Sequence, residues 1–250
     1  MKLFAPNNIF VSILKNHIPS DVDVIYKPSS LISKELEFNT QAIAMIPSLD
    51  LIKNRNLFVA SKYAVSFDGL LSNSYFYFIE GQKKIEKIHL QGDVSINEFI
   101  LSKIIFEEKY SSQIELILDT KNEKLKENNY IICGDDNFID SRFQKGISFA
   151  DDISEFLNLP YVNYIFVSQD KESLELFQNK FSDLDIKIEN SAESSLQLLN
   201  IPNDSKEFIL SNLGSVYYEM TENEQDGLNE LIKLVYYHGI VDDMFDVKFL

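Results

Sequence analysis

Three short apolar runs, at residues 2–5, 22–25 and 42–46, alternate with segments of helical period across the first 53 residues. That alternation restricts the fold sharply. A strand–helix–strand order predicts successive parallel strands with helices packed on the sheet. Each run is followed by a polar, proline-bearing step: Pro6-Asn7-Asn8, Pro28-Ser29-Ser30 and Pro47-Ser48. The carboxyl ends of strands in such sheets are where ligands sit.

Beyond residue 53 the character changes. Residues 59–67 and 74–79 are rich in β-branched and aromatic side chains, with Asp68-Gly69 between them. They read as a hairpin or as long sheet strands. Gly81-Gln82-Lys83-Lys84 fits a hinge. A strand at 85–90 precedes Ser95-Ile96-Asn97-Glu98, a capping-box pattern that opens a helix running to Glu108. Further strands are expected at 114–118 and 130–133, joined by a charged connection at 121–129. Ile132-Cys133-Gly134-Asp135 then puts a carboxylate at the end of a buried strand. An amphipathic helix follows, and Leu159-Pro160 aims the chain into a new apolar run at 162–167. Helices are expected at 171–181, 192–199 and 205–212, and a long one from the second capping box, Thr221-Glu222-Asn223-Glu224, to a C-cap at Gly239. The expected architecture is α/β with two lobes. Residues 1–82 and 163–250 make the first, 83–162 the second, and a ligand would occupy the cleft between them.

Composition narrows the function. The 250 residues carry 39 acidic and 23 basic side chains, a formal net charge of −16. That field repels phosphate backbones and anionic lipid surfaces, so neither nucleic acid nor membrane is an expected partner. No apolar run approaches the roughly 20 residues of a membrane span. Pro6-Asn7-Asn8 interrupts any signal-peptide core, and the cytoplasm is the expected location. The single cysteine, Cys133, excludes an internal disulfide and sits in an apolar run, where packing is its expected role. His17, His89 and His238 are isolated, and no metal-ligand spacing, phosphate loop or nucleophile elbow occurs. No metal or cofactor is expected.

The remaining candidates are polar residues at expected strand ends. Asn7 and its neighbour offer amide donors, or serve as helix N-caps. Ser48 has the same two readings. Ser72, Asn73 and Ser74 could face a cleft or form a polar turn. Ser95 and Asn97 open a helix, where free N–H groups favour an anion, although Glu98 competes for that end and Asp93 adds repulsion. Asp135 could bind a ligand hydroxyl, cap a helix or bridge the hinge.

The order of segments resembles the menaquinone-biosynthesis chorismate dehydratases, whose fold is the two-lobed type II periplasmic-binding-protein fold. The resemblance spans nearly the whole chain. It is carried by AIAMIPSLDLIKN (42–54), the Ile-Cys-Gly-Asp run at 132–135, residues 149–167, the Pro28-Ser29 helix start, and GLNELIKLVYYHGIVDDMFDVKFL (227–250), which looks like that family's final helix and closing strand. It implies a lyase that removes water from chorismate to give 3-[(1-carboxyvinyl)oxy]benzoate in the futalosine route, by ring proton abstraction and loss of hydroxyl. Asn7 would be catalytic. Ser48, Ser72, Asn73, Ser74, Ser95, Ile96, Asn97 and Asp135 would bind the carboxylate substrate. The chain departs from the family at three places. Ala5-Pro6-Asn7 keeps only the Asn of the family's Tyr-Leu-Asn, Asn73-Ser74 replaces an Arg-Ser pair, and residues 91–97 replace a hydroxyl-rich run. Chorismate is a dianion, and each lost charge-assisted bond removes about 1.5–3 kcal/mol. The alternative is a non-catalytic small-molecule (solute) binding protein on the same scaffold.

Overall fold

A computed structural model describes residues 1–120 and 127–250. The connection expected at 121–129 lies largely outside the described residues. In chain order the elements are β1 (Lys2–Ala5), α1 (Ile9–Lys15), β2 (Asp23–Tyr26), α2 (Ile32–Glu35), β3 (Ile43–Pro47), β4 (Phe58–Phe67), β5 (Ser74–Tyr77), β6 (Lys87–Gly92), α3 (Ile96–Tyr110), β7 (Glu115–Leu118), β8 (Tyr130–Cys133), α4 (Asp136–Ile139), β9 (Ile147–Ser148), α5 (Phe149–Leu157), β10 (Tyr161–Ser168), α6 (Lys171–Gln178), α7 (Leu184–Gln197), α8 (Asn203–Asn212), β11 (Val216–Glu219) and α9 (Glu222–Tyr237). Single helical turns at Ser29–Leu31 and Ser48–Ile52 follow β2 and β3.

The strands form two sheets. The first has the order β11-β4-β10-β3-β1-β2, the second β7-β6-β8-β5-β9. β2, β1 and β3 pair in parallel, as the alternation at the N-terminus requires. β10 then enters antiparallel between β3 and β4, so the first sheet is mixed. All eight residues of β10 are buried, because the strand is central and covered on both faces. In the second sheet β6 is parallel to β7 and β8, whereas β5 is antiparallel to β8.

The expected lobe boundary moves. Residues 59–67 and 74–79 are not a hairpin: β4 lies in the first sheet and β5 in the second. β5 belongs there because its register, Ser74↔Cys133 to Tyr77↔Tyr130, completes the ladder beside β8. The outward crossing is therefore the stretch 68–73, and Gly81–Lys84 is an exposed loop within the second lobe rather than the hinge. The return crossing runs through Leu159-Pro160 into β10, as expected. β9 and β11 were not foreseen. β9 has only two residues, too short to show a period, and β11 has four. The closing strand at the C-terminus is reduced to one bridge, Val59↔Phe249. Both capping boxes form, at Ser95/Glu98 and Thr221/Glu224. Cys133 is buried, and burial pushes its thiol well above the usual range, so it packs rather than reacts.

Two glycines end neighbouring parallel strands of the second lobe. Gly92 and Gly134 have φ of +88° and +91° and are each followed by aspartate. A Cβ on Gly92 would lie 2.0 Å from the Cys133 carbonyl oxygen. Replacement Gly92→Ala should therefore lower stability by at least about 2 kcal/mol, through both the clash and the left-handed backbone. Urea denaturation checks this; an unchanged midpoint would refute the tight turn.

Candidate functional site

The parallel strands β3, β1 and β2 end side by side, and each is followed by a helical turn whose first N–H groups are free of intrahelical partners. In the first lobe these amides belong to Leu49, Ile9 and Ser29. Each is met by a side chain of the second lobe. Asp135 Oδ1 accepts from Ile9 N at 2.8 Å. Asp93 Oδ1 accepts from Ser29 N at 2.9 Å, and Ser29 Oγ donates to Asp93 Oδ2 at 2.6 Å. Asn97 Oδ1 accepts from Leu49 N at 3.0 Å. The two aspartates are aimed by Gly92 and Gly134, which turn the chain outward at the ends of β6 and β8.

Around these latches lies a buried polar layer. Asn97 is 0% exposed, and its amide donates to Asn163 O at 2.9 Å and Tyr161 OH at 3.1 Å. Ser48 Oγ lies 3.2 Å from the same amide. Asn73 Nδ2 lies 3.3 Å from Tyr164 OH, which is 3.0 Å from Ser29 Oγ. Ser74 Oγ donates to Glu98 Oε1 at 2.8 Å. Ser95 donates to Glu98 Oε2 through both N and Oγ, at 2.9 and 2.6 Å. Ser72 Oγ accepts from Ser74 N and Ala150 N, both at 3.1 Å. Two amide atoms in this layer have no hydrogen-bond partner among the described residues, Asn8 Nδ2 and Asn73 Oδ1. Their residues are each 2% exposed.

The sequence candidates divide accordingly. Ser48, Asn73, Asn97 and Asp135 meet across the lobes. Ser72, Ser74 and Ser95 brace the second lobe from within. Ile96 is half-buried at the start of α3. Asn7 is exposed and makes no hydrogen bond among the described residues. The buried asparagine after β1 is Asn8, which caps α1 by accepting from Val11 N at 3.0 Å. Sequence reasoning missed Ser29, Tyr161, Asn163 and Tyr164, and assigned Asp93 only a repulsive role. The legible signal for Asp93 was the second Gly-Asp pair, Gly92-Asp93, since the chain holds only eight glycines.

Electrostatics sets this layer apart. Burial, with Asp136 and Asp93 nearby, raises the Asp135 carboxyl to about 6 despite its bond from Ile9 N. Burial likewise pushes Tyr161 and Tyr164 well above the usual phenol range, so both stay protonated. Among the described residues no Lys, Arg or His hydrogen-bonds to Asp93, Asp135, Asn73 or Asn97. Lys27, near in sequence, pairs with Glu35 at 2.7 Å. No group of three or more His, Cys, Asp or Glu among the described residues is placed to hold a metal. A separate hollow of about 620 Å³ beside the return crossing is walled by Asp68, Asp151, Glu155, Asp185, Glu219 and Glu224. None of the sequence candidates lines it.

No protein-family model matches the chain, and no curated protein sequence matches it. Solved structures do. The alkanesulfonate-binding protein SsuA from Xanthomonas axonopodis pv. citri, bound to MOPS, is 10% identical with a TM-score of 0.66, over 100% of this chain and 97% of that one. The periplasmic aliphatic sulphonate binding protein SsuA from Escherichia coli is 12% identical with a TM-score of 0.65, over 99% and 89%. Protein AF1704 from Archaeoglobus fulgidus is 10% identical with a TM-score of 0.60, over 96% and 98%. The fold is periplasmic-binding-protein-like, with two α/β lobes. The latches therefore lie between the lobes of that fold.

Two outcomes follow from this geometry. Asn97→Ala strips partners from Leu49 N and the buried Tyr161–Asn163 pair, and should cost about 2–4 kcal/mol in urea denaturation. Asp135 gives the second. Between about pH 4 and pH 6 the folded protein holds a proton that the unfolded chain has released, so stability falls as pH rises through that window and the loss is complete above it. Asp135→Asn removes this decline. The variant should match the native chain near pH 4 and exceed it at pH 7 by on the order of 1–3 kcal/mol. Asp185, also raised to about 6, is present in both chains and cancels in the difference. Parallel curves across pH 4–7 would show that Asp135 is not perturbed.

Proposed function

We propose that the chain is a small-molecule binding protein that encloses its ligand between the two lobes. One observation carries this reading. Two buried amide atoms on residues that adjoin the cross-lobe hydrogen bonds lack partners among the described residues: Asn8 Nδ2, next to the Ile9 amide held by Asp135, and Asn73 Oδ1, on the residue bonded to Tyr164 and to Gly134 N. An unpartnered buried polar atom costs about 1–3 kcal/mol, which a ligand group placed there would recover. The folds of the sulfonate-binding neighbours support a small solute as the ligand class. Opening the lobes would break the latches and the polar layer together with the stacked Phe143–Phe208 pair, the Phe10–Phe138 contact and the Ser205 Oγ bond to Phe138 O. The sheets themselves stay intact, because each lobe's ladder closes within that lobe.

A second reading, a chorismate-dehydrating lyase, is favoured by Asp135. A carboxyl poised near neutrality beside Asn8 is suited to move a proton. Against it stand the exposure of Asn7 and the carboxylates that would face a dianion.

The two readings separate in one experiment. Purified protein is screened by thermal shift against a metabolite library that includes chorismate, and chorismate consumption is followed in parallel. A true ligand at 100 times its Kd should raise Tm by about 5–10 °C for a domain this size, with chorismate left unchanged. Appearance of the dehydrated benzoate would replace the binding reading with the lyase. A library with no hit, together with a scattering profile that ligand never alters, would remove both.

A further inference from the structure

Proton accounting fixes which polar atoms at the lobe junction remain available. The Ser29 hydroxyl has one proton, and Asp93 Oδ2 takes it at 2.6 Å. Tyr164 OH, 3.0 Å from Ser29 Oγ, must therefore be the donor in that contact. Having spent its proton, Tyr164 OH can only accept at 3.3 Å from Asn73, so the atom facing it is Nδ2. Asn73 Oδ1 is thus a buried acceptor without a donor. Asn8 is fixed in the same way. Its Oδ1 accepts from Val11 N, which leaves Nδ2 as a buried donor without an acceptor.

The charges agree with this inventory. Asp93 and Asp135 enter from neighbouring strand ends, and Glu98 lies behind them, bonded to Ser74 and Ser95. No basic side chain hydrogen-bonds to any of these carboxylates among the described residues. Asp135 Oδ1 accepts from Ile9 N, and Oδ2 retains its acceptor capacity. An anion entering here would meet like charge in a half-buried site, whereas a protonated amine would offer N–H donors to Asn73 Oδ1 and to the carboxylates. The overall charge of −16 adds long-range attraction for a cation and repulsion of an anion.

We propose that the interlobe site recognises a protonated amine that also carries a hydroxyl or carbonyl oxygen, the ammonium bonding to Asn73 Oδ1 and the Asp93 and Asp135 carboxylates, and the oxygen accepting from Asn8 Nδ2. This assignment rests on the reading of the cleft as a ligand site. It reverses the ligand charge expected from the sequence, because the Arg-Ser pair of the resembled family is replaced by Asn73-Ser74 and its neighbours here are acidic.

Calorimetric titration of the full chain at pH 7.5 and low salt tests it with matched probes. Tyramine, tyrosol and 4-hydroxyphenylacetate share a ring and a hydroxyl and differ in carrying an ammonium, a neutral hydroxyl or a carboxylate. Glycinamide and spermidine extend the cationic set; MOPS and chorismate extend the anionic one. Amines carrying an oxygen should bind at least tenfold tighter than tyrosol, with spermidine weaker than tyramine for want of that oxygen. Asp135→Asn should weaken the amines at least fivefold and abolish the preference over tyrosol. Anions binding tighter than every amine, with that binding lost in Asn73→Ala, would overturn the amine assignment and leave the cleft reading standing. Amine binding unchanged in Asp135→Asn and Asn73→Ala would overturn the assignment as well. Absence of binding by all seven probes would overturn it too, while the library screen still decides the cleft reading. The comparison of charges on the unmutated chain does not depend on either variant folding.

Discussion

The backbone amides that open the first turns after β1, β2 and β3 decide how the two lobes meet. A helical turn cannot satisfy its own first N–H groups, and burying them unpaired is costly. In this chain Ile9, Ser29 and Leu49 find their acceptors on the other lobe, in Asp135, Asp93 and Asn97. The need is local, yet its solution is interlobal. It follows that the closed arrangement and the ends of the first-lobe helices are one interaction viewed from two sides. Separating the lobes exposes those amides to water, which can take over the acceptor role at modest cost.

The same residues connect the fold to its chemistry. Gly92 and Gly134 adopt left-handed backbone at the ends of two paired strands, so the aspartate after each leaves the sheet in the same direction. Their carboxylates come close enough for the charge of Asp93 to raise Asp135. The crossing at 68–73 delivers Asn73 beside them, tied by its carbonyl to Gly134 N at 2.7 Å. The return strand brings Tyr161, Asn163 and Tyr164 from beneath. These stretches, with the first-lobe turns at Asn8, Ser29 and Ser48 and the start of α3 at Asn97, supply one polar layer, and they meet there because strands begin or end at it.

Much of this was legible in the sequence, and the failures have physical causes. The parallel trio at the N-terminus, both capping boxes and the crossing at Leu159-Pro160 carry strong local signals: period, cap chemistry and proline. The outward crossing did not. Residues 59–67 and 74–79 have the same β-rich composition, and only long-range pairing with β8 assigns the second run to the other sheet. Ser74, Asn97 and Asp135 stand out in the sequence because polar residues flanking expected strands and opening helices are conspicuous. Asn7 and Asn8 stand together after β1, and which of the two is buried depends on the way the backbone turns, which the composition of the turn does not encode. Ser29 and Tyr164 were invisible for a different reason. Their role exists only once two distant segments meet, and neither belongs to a motif.

Where the structure tolerates cost is informative. A carboxylate used only to cap α1 would be replaced to advantage by a neutral acceptor, because burial and the neighbouring Asp93 disfavour its charge at neutral pH. An asparagine used only to fasten Tyr164 would not need a buried oxygen left without a donor. Both features sit at the lobe junction, whereas the distant start of α9 is closed by a full capping box. Buried atoms without partners also occur at Asp50, Gln91 and Arg142 among the described residues, and Asp185 is likewise raised to about 6, so the lobe junction is marked by the placement of Asn8 and Asn73 beside the cross-lobe bonds and not by a monopoly of unsatisfied groups. On the proposed reading, the polarity of these two groups sets what a ligand must supply: donors toward Asn73 and the aspartates, and one acceptor toward Asn8.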